Sequence, residues 1–297
     1  MTHMDARTIA ELDQLAEEIR SRFTGTELRQ IQSDLLILGR RKDADVICKT
    51  IAMPSITIMT SGCKEANLSG HKVVFRKGTL FVLAVDLPDT FVIRHTEDPD
   101  LTSISLIIKE DMLQRAIEGF QTKAADVAAP VTTLEADAGL VGAFRRLLEA
   151  HDHPAGEALQ RLAAEEILLR VLATPAGPML KRLYAPSSVE NRIRRSVGWL
   201  QNHYREDFDV SSLAANVGMS EATYYRHFKN VINVSPRQYI KNLRLHHARR
   251  LMIDENLDAT QAAFEVGYKS PNHFNREFKR MFGDSPKRHV MQETATS

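Results

Sequence analysis

The sequence has little cysteine: Cys48 and Cys63 are the only two among 297 residues. So few thiols exclude a disulfide-stapled scaffold and a cysteine-rich zinc module, and they are typical of a reducing compartment. A redox switch through the pair stays open, although free cysteine most often serves as a small buried hydrophobe. No run of 18 apolar residues occurs, so no membrane span is expected. The N-terminus lacks a basic and then apolar secretion signal, so we expect a cytoplasmic location.

The sequence also lacks the motifs of the common enzyme classes. It contains no P-loop, no Gly-x-Gly-x-x-Gly and no nucleophile elbow. A metal-dependent barrel needs three or four ligands that converge on one ion. His71 and His95 each stand alone on a predicted strand, and His151-Asp-His153 lies between predicted helices without an acidic partner at ligand spacing. We therefore expect no catalysis, no metal and no cofactor.

A net charge of only +1 conceals an uneven distribution of charge along the chain. Residues 190–297 contain 17 Lys and Arg against 12 Asp and Glu, a net charge of +5, so the preceding residues carry −4. A basic domain beside an acidic one is the electrostatic pattern of a nucleic-acid-binding domain coupled to a domain of another kind.

A ten-residue stretch occurs twice in this basic part, at an offset of 50 residues. Its shared residues are Ser220, Arg226, Phe228 and Lys229, which recur as Ser270, Arg276, Phe278 and Lys279. A Ser-Pro pair recurs at the same spacing, as Ser235-Pro236 and Ser285-Pro286. A repeat this short and regular indicates one supersecondary unit used twice, with its exposed face copied together with its core.

Each copy has the pattern of two helices joined by a short glycine turn. Gly218 and Gly267 each end a first helix, because glycine is free to adopt positive φ just past a helix C-terminus. Ser220 and Ser270 are placed to cap the second helices. The first helices begin at Asp209 in one copy and at Asp258 or Thr260 in the other. This is the helix-turn-helix pattern, whose second helix normally enters the major groove of DNA.

Arg226 and Arg276 occupy equivalent positions on the two second helices. Arginine reads guanine edges bidentately or clamps a phosphate. The same faces carry an Ala and a Tyr in the first copy and two Asn in the second, and Asn can pair bidentately with adenine. An ordinary solvated helix face is the alternative interpretation. The duplication of arginine at one register favours a DNA-reading face.

Between the copies, Ser235-Pro236-Arg237-Gln238 has the form of a capping box and predicts a long helix to about Asp254. Apolar residues lie on two of its faces. A helix packed on both sides would hold the two units in one rigid arrangement. The two second helices would then lie in successive major grooves, about one DNA turn (~34 Å) apart.

An ordered set of short motifs runs through this region: Leu213-Ala214, Ser220, Arg226-x-Phe228-Lys229, Ser235-Pro236-x-x-Tyr239, Leu243-Arg244-Leu245-x-x-Ala248-Arg249, Ala262-x-x-x-Val266-Gly267-Tyr268, Phe274-x-Arg276-x-Phe278-Lys279 and Gly283-x-Ser285-Pro286. By these motifs, residues from about 190 to 290 resemble the DNA-binding domain of the AraC/XylS family of bacterial transcription regulators. The resemblance implies base contacts from Ala222, Thr223, Tyr225, Arg226, Asn272, His273, Asn275 and Arg276. It implies phosphate contacts from Ser220, Lys229, Ser270 and Lys279. Pro271 departs from the family pattern, which often has a polar residue there, and this removes one potential base contact.

The N-terminal part begins with an amphipathic helix over residues 7–23 and continues with short β-rich segments. The predicted strands are 32–38, 46–51, 55–60, 71–75, 79–85, 91–96 and 102–108, and they are separated by turns rich in Gly, Pro, Asp and Asn. Regular short strands of this kind predict a β-sandwich or barrel. Helices are predicted again over 109–120, 138–150 and 156–173.

Four short motifs mark this β-rich region: Pro54-Ser55, Gly62-x-Lys64, Gly78 and Val85-Asp86-Leu87-Pro88. By them, residues from about 54 to 108 are similar to the cupin-like N-terminal sensor domain of one AraC subgroup. The resemblance implies a small effector bound by the barrel and dimerisation through the helices that follow. The polar candidates for the effector site are Lys64, His71, Arg76, Asp86 and His95. Solvated turns are the alternative for these residues, and a barrel without a ligand is the alternative for the domain.

The helices predicted over 138–150 and 156–173 carry apolar stripes and form an antiparallel hairpin. Its apolar surface either packs on the barrel or forms a twofold subunit interface. After it, Pro175, Gly177, Pro178 and Pro186 are typical of a linker.

We therefore predict an α+β chain with a cupin-like β-barrel and flanking helices, followed by an all-α domain of two helix-turn-helix units joined by a long helix. Its parts are a sensor and dimerisation domain at 1–180, a linker at 181–189 and a DNA-binding domain at 190–297. The expected partners are double-stranded DNA, a small-molecule effector of unknown identity, RNA polymerase and a second copy of the chain. The alternative is a ligand-independent DNA-binding regulator whose barrel serves only dimerisation.

Overall fold

The computed structural model describes residues 4–23, 29–41, 47–68, 71–93, 100–120, 130–207 and 209–296. The N-terminal part opens with helix α1 (Ala6–Arg22) and contains two antiparallel sheets. The larger sheet has the order β1-β2-β9-β4-β7-β10, with β1 Arg29–Ile31, β2 Leu36–Arg41, β9 Leu101–Ile107, β4 Ser55–Ser61, β7 Thr79–Leu83 and β10 Val131–Glu135. The smaller sheet has the order β3-β8-β5-β6, with β3 Ile47–Ala52, β8 Leu87–Ile93, β5 Cys63–Leu68 and β6 His71–Arg76.

Two tight bends carry the chain from one sheet to the other. Gly62, with φ +74°, joins β4 to β5, and a Cβ there would lie 2.8 Å from the backbone of Leu101. Gly78, with φ +82°, closes the turn between β6 and β7. Phe75 of β6 and Phe81 of β7 are buried and meet edge to face, with ring centroids 4.7 Å apart. The sheets therefore share one apolar core, as the predicted β-barrel requires.

Helices cover this β-sheet core and lead out of it. They are α2 Glu110–Glu118, α3 Ala138–His151, α4 Gly156–Leu172 and α5 Gly177–Tyr184. Helices α3 and α4 pack against each other as the predicted hairpin, and Arg146 and Glu166 bridge them with an ion pair of 2.7 Å. Leu12 and Ile19 of α1 are fully buried in the same core.

The C-terminal part is entirely helical among the residues described. Its helices are α6 Val189–His203, α7 Val210–Asn216, α8 Glu221–Ile232, α9 Pro236–Asp254, α10 Ala259–Glu265, α11 Pro271–Phe282 and α12 Pro286–Thr296. Helix α9 contacts α8 of one unit and α10 and α11 of the other, as well as α12 and the strands β3 and β8. The predicted long helix between two helix-turn-helix units is thus confirmed, and so is the α+β architecture.

Some elements differ from the sequence-based expectation. Strands β1, β5 and β10 lie where no strand was predicted. Helix α5 lies where Gly177 and Pro178 indicated a linker, because Pro178 sits in the first turn, where its missing N–H costs nothing. The predicted linker at 181–189 therefore begins inside a helix, and residues 185–188 separate α5 from α6. The end of the strand predicted at 91–96 lies outside the described residues.

The two parts of the chain meet at the loop 84–86 that follows β7. Tyr184 of α5 donates its hydroxyl to the Ala84 carbonyl at 3.1 Å, and Tyr239 of α9 donates its hydroxyl to the Asp86 carbonyl at 3.2 Å. Arg194 of α6 adds an ion pair of 2.6 Å with Glu110 of α2. Side chains on both sides of the 185–188 segment therefore hold the β-sheet domain and the helical domain together.

Candidate nucleic-acid interface

The first helix-turn-helix unit is built by side-chain caps and one glycine. Asp209 accepts a hydrogen bond from the Ser212 N–H and so begins α7, and Ser220 accepts one from the Thr223 N–H and begins α8. Gly218, with φ +66°, provides the turn between the two helices. Each cap satisfies a backbone donor that a helix N-terminus leaves without an intrahelical partner.

The second unit repeats this design with local differences. Asp258 and Gln261 form a capping box at the start of α10, which decides between the two predicted starts. Ser270 caps α11, with Pro271 in its first turn. Gly267 has φ +88°, and a Cβ there would lie 2.3 Å from the Arg205 carbonyl oxygen, so both conformation and space require glycine.

The cores of the two units are geometric copies. Tyr224 and Phe228 of α8 have ring centroids 5.5 Å apart at an interplanar angle of 52°. Phe274 and Phe278 of α11 show the same 5.5 Å and 52°. All four rings are fully buried. Because residues four apart share one face of a helix, these anchors turn the opposite face of α8 and α11 outward.

Arg244 of helix α9 connects the second unit to the segment that leads into the first unit. Its guanidinium donates to the carbonyls of Tyr204 at 2.6 Å, Glu206 at 2.8 Å and Gly267 at 3.1 Å. About one turn before Arg244 on the same helix, Lys241 pairs with Glu277 of α11 at 2.9 Å. The spacing between α8 and α11 is therefore fixed by hydrogen bonds as well as by packing.

The structure places the predicted base-reading side chains on the outer faces of the two helices. The exposed ones are Ala222, Arg226, Asn272, His273, Asn275 and Arg276, and the half-buried ones are Thr223 and Tyr225. The Tyr225 hydroxyl accepts a hydrogen bond from Arg237 Nε at 3.1 Å. The ring of His273 meets the ring of Tyr268 edge to face at 5.7 Å. Such a row of Arg, Asn and Tyr suits base edges in a major groove.

The predicted phosphate-contact residues are also at the surface. Lys229 and Lys279 are exposed near the C-terminal ends of α8 and α11, and Ser220 and Ser270 are exposed at the N-terminal ends. Both serine hydroxyls are engaged in capping, so a phosphate there would meet them together with the free backbone N–H groups of the first turn.

One basic pair was missed by the sequence-based prediction. Arg237 and Lys287 follow the repeated Ser-Pro pairs and are exposed in the first turns of α9 and α12. The hydrogen bond from Arg237 to Tyr225 brings this arginine to the edge of the α8 face. The repeat itself carried the signal, since a basic residue follows Ser-Pro in both copies.

The candidate effector residues do not form one cluster. Lys64 lies on the inner face of the smaller sheet with Ala66 and Phe75, and its ammonium is 5.1 Å from the Phe75 ring centroid. Arg76 pairs with Cys63 in the adjacent register, so it projects to the opposite face and is exposed. The side chain of His71 and the whole of His95 lie outside the described residues.

Asp86 lies near the other end of the smaller sheet and faces the helical domain. Lys64 pairs with Ile93 at one end of β8, whereas Asp86 precedes Leu87 at the opposite end. At ~3.3 Å per residue, the two ends of this strand are about 20 Å apart. Burial raises the pKa of Asp86 to about 6, partly offset by a backbone hydrogen bond and by the charge of Arg194. Asp86 therefore belongs to the junction between the domains.

Two further properties bear on the kind of site this is. Within the described ranges, no group of three or more His, Cys, Asp or Glu side chains is arranged to hold a metal ion. In the same ranges no helix is both long and apolar enough to span a bilayer.

Two capped helix-turn-helix units on one central helix, beside a two-sheet domain, define a DNA-binding protein of the helix-turn-helix class. Comparison with known proteins identifies the family. A family described as AraC-type transcriptional regulator N-terminus matches residues 33–179, and a helix-turn-helix domain family matches residues 213–291. The chain belongs to the AraC/XylS family of transcription regulators.

Individual relatives agree with this assignment. ExsA of Pseudomonas aeruginosa, an HTH-type transcriptional regulator, is 30% identical over 151 residues, which are 51% of this chain and 53% of ExsA. RhaS of Escherichia fergusonii, an HTH-type transcriptional activator, is 31% identical over 133 residues, which are 45% of this chain and 48% of RhaS. The chain thus spans about half the length of these curated relatives.

The fold as a whole has a solved counterpart. The structure of ToxT from Vibrio cholerae strain SCE256 covers 88% of this chain and 96% of its own, with a TM-score of 0.59. The sequence identity is 9%, so the likeness is one of fold.

Proposed function

We propose that this chain is a cytoplasmic transcription regulator that reads a specific DNA site with α8 and α11 and responds to a small molecule. One observation carries the proposal. Arg226 and Arg276 stand exposed at equivalent positions over two geometrically identical aromatic cores. Solvation alone does not require arginine at the same register of two helices, whereas base reading by both helices does.

The rigid connection through α9 supports reading of two adjacent grooves. Arg244 binds carbonyls next to both units, so α8 and α11 keep one relative position. Two such helices suit two contacted patches about one turn of DNA (~34 Å) apart. Lys229, Lys279, Arg237 and Lys287 would contact phosphates, which position the protein without specifying sequence.

The β-sheet domain supports control by an effector. Lys64 points into the space between the sheets beside the buried ring of Phe75, where it would recognise an anionic group. The ToxT structure of similar fold contains an unsaturated fatty acid. An acid of this kind is therefore one class of ligand to test. The direction of control is proposed to be activation, as the name of RhaS suggests.

The hairpin of α3 and α4 supports a homodimer. Leu162 is 64% exposed, and Leu159 and Leu169 are 37% and 38% exposed on the same helix. Leucines at three- and seven-residue spacing lie along one stripe, and such a stripe on a helix surface suits a second copy of the same stripe. A ligand-independent regulator whose barrel only supports this dimer is the alternative. RNA polymerase remains a proposed partner of either form.

The test begins with selection of bound fragments from sheared genomic DNA at about 0.15 M salt. The affinities of Arg226→Ala and Arg276→Ala for the enriched site are then compared with that of the wild type. Each substitution is expected to cost about 1–3 kcal/mol at the specific site. Arg161→Ala is the matched control, since it removes the same charge from an exposed position on α4.

Base reading and phosphate contact alone predict different results for these variants. Normal binding of the specific site by both variants would contradict the base-reading assignment. Equal loss on random DNA and on the specific site would instead indicate phosphate contacts only. If no site is enriched until cell extract is added, an effector is required for the DNA-binding geometry.

A further inference from the structure

A cavity lies outside the barrel, at the point where the β-sheet domain passes into the DNA-binding domain. Its volume is about 710 Å³, and its walls come from α2, α5 and the segment that leads to α6. Volumes of roughly 300–1,000 Å³ are typical of sites that enclose a small molecule. None of the residues predicted for the effector site lines it.

The walls are mainly apolar. The apolar lining comes from Ile117 of α2, from Pro178 and Tyr184 of α5, and from Ala185 and Pro186 of the connecting segment. A space of this size with aliphatic, proline and aromatic walls favours a ligand with a broad apolar body, because burial of apolar surface supplies most of the binding free energy.

The charged groups around the cavity balance one another. Its lining contains two acids, Glu118 and Glu190, and two bases, Lys181 and Arg182. Arg182 and Glu190 form an ion pair of 2.7 Å. Since the lining has no net charge, an anion such as a fatty acid would gain little from it, and an uncharged molecule with a hydrogen-bonding group fits best.

We propose that this cavity is a regulatory site, separate from the interior of the barrel. Its ligand would be an uncharged, largely apolar small molecule, such as an aromatic compound. The inference rests on the proposed function, because it assigns a ligand to a regulator of DNA binding. Its ligand class differs from the anionic effector that Lys64 would select.

The surroundings of the cavity explain how occupancy would reach the DNA-binding domain. Tyr184 forms part of the wall, donates to the Ala84 carbonyl at 3.1 Å, and carries the guanidinium of Arg194 over its ring at 4.2 Å. Arg194 belongs to α6, the first helix of the DNA-binding domain, and pairs with Glu110 of α2. A ligand against Tyr184 therefore touches the group that joins both domains.

The segment 185–188 is the second route. The Ser188 hydroxyl bonds the carbonyls of Arg182 and Ala185 at 2.5 and 3.0 Å, and Ser188 also caps α6. The ion pair between Arg182 and Glu190 spans the same turn. A ligand that fits only this arrangement of the turn would favour it over others, since a ligand shifts an equilibrium by its differential affinity for the two states.

The experiment uses the full chain and 1-aminoanthracene, a neutral aromatic probe whose fluorescence rises in apolar surroundings. Wild type is expected to bind the probe at one saturable site. Ala185→Trp fills the cavity, and its probe affinity should fall by at least about tenfold, or ~1.4 kcal/mol. Ala173→Trp is the matched control, since it makes the same change at an exposed position after α4 and should bind as wild type.

A second filling variant protects the test against misfolding. Gln114→Trp enters the cavity from α2 and should also weaken binding, and circular dichroism verifies that each variant is folded. Absence of saturable binding to wild type would overturn the proposal. So would unchanged binding to both folded filling variants, because the probe would then occupy another site such as the barrel interior.

The same proteins separate this inference from the proposed function. Arg226→Ala should lose affinity for the specific DNA site and keep the probe affinity of wild type. Occupancy by the probe should change the DNA affinity of wild type at least about twofold and leave Ala185→Trp unchanged. Probe binding without any effect on DNA affinity would overturn the regulatory role. If wild type binds the probe but no specific DNA site, the proposed function is overturned and the ligand site in the cavity is not.

Discussion

The two helix-turn-helix units share one core geometry but are attached to the rest of the chain in different ways. In the first unit, the Tyr224 hydroxyl bonds Ser196 of α6 at 2.9 Å, and Arg192 of α6 donates to the Val217 carbonyl at 3.0 Å. The second unit is bound to α9 by Arg244 and by the pair of Lys241 with Glu277. The first unit is therefore directly coupled to the helix that leaves the sensor domain, and the second follows it through α9.

The outer faces of the two units differ as well. The first presents Ala222 and Tyr225 beside its arginine, and the second presents Asn272 and Asn275 beside the equivalent arginine. Aliphatic and aromatic groups suit thymine methyls, whereas amides suit adenine edges. The two units thus share the core that folds them, and their different outer faces would suit two unlike half-sites.

The largest effect is expected from removal of a core ring in either unit. Phe228→Ala and Phe278→Ala each delete a fully buried side chain and should cost about 3–5 kcal/mol of unfolding free energy. Urea unfolding followed by circular dichroism measures both. Phe264→Ala is the matched control, because Phe264 is 55% exposed on α10 and its loss should cost little. A large difference between the two core variants would contradict the equivalence of the units.

The next effect separates the units from each other. Arg244→Ala removes charge-assisted hydrogen bonds to three backbone carbonyls and should cost about 1.5–3 kcal/mol. The spacing of α8 and α11 would then loosen. We expect wild type to prefer one separation of half-sites sharply and Arg244→Ala to tolerate insertions of a few base pairs, measured by binding to spacer variants. Arg250→Ala, which removes an exposed arginine six residues farther along α9, should keep the sharp preference.

The core and caps of these units were predictable from the sequence because each is a local property. Ser220 and Ser270 cap helices a few residues away, and Phe228 and Phe278 lie four residues from their ring partners. Repetition at a fixed offset then singled out Arg226 and Arg276 as candidates for base reading. The exposure of the candidate DNA-contact residues follows from these local patterns, and their contact with DNA stays a prediction. Arg237 and Lys287 were not among the predicted residues.

The junction was not predictable, because its contacts depend on tertiary structure. Tyr239 and Asp86 are 153 residues apart in sequence, and nothing near either of them indicates the other. Asp86 was instead assigned to an effector site because it lies at the end of a predicted strand. Strand β5 was missed because its sequence, with Lys64, Glu65 and Asn67, lacks the β-branched residues that favour strands. It is held by pairing on both sides, with β6 and β8.

A smaller effect tests whether α9 couples the DNA-binding domain to the sensor domain. Tyr239→Phe removes the hydroxyl that donates to the Asp86 carbonyl and accepts from Gln201 at 2.8 Å, at a cost of about 1 kcal/mol. The response of DNA affinity to ligand should shrink, while the affinity without ligand changes little. Tyr268→Phe makes the same deletion in the second unit and should leave the response intact. An equal loss in both variants would mean that the coupling is not localised in α9.

The smallest net effect is expected from pH, because two buried groups act in opposite directions. The pKa of Asp86 is raised from 3.8 to about 6 by burial, opposed in part by Arg194, so the folded chain holds this proton more tightly than the unfolded chain. Its contribution to stability is present below about pH 4 and is lost as pH rises toward 6. The pKa of His247 is lowered from 6.5 to about 4, first by burial and then by the charges of Arg250 and Arg205. Its contribution is present above about pH 6.5 and is lost as pH falls toward 4.

Single variants separate the contribution of Asp86 from that of His247. Asp86→Asn fixes a neutral side chain at the junction, so its melting temperature relative to wild type should rise between pH 4 and pH 7. His247→Gln should show the reverse, a relative gain as pH falls, because it removes the imidazole whose pKa burial lowers. This imidazole stacks on Tyr204, whose carbonyl Arg244 binds. Parallel melting curves of wild type and Asp86→Asn across this range would contradict burial of the Asp86 carboxyl at the junction. Loosening at high pH should begin where Asp86 meets Tyr239 of α9, and loosening at low pH should begin where α9 holds the second unit.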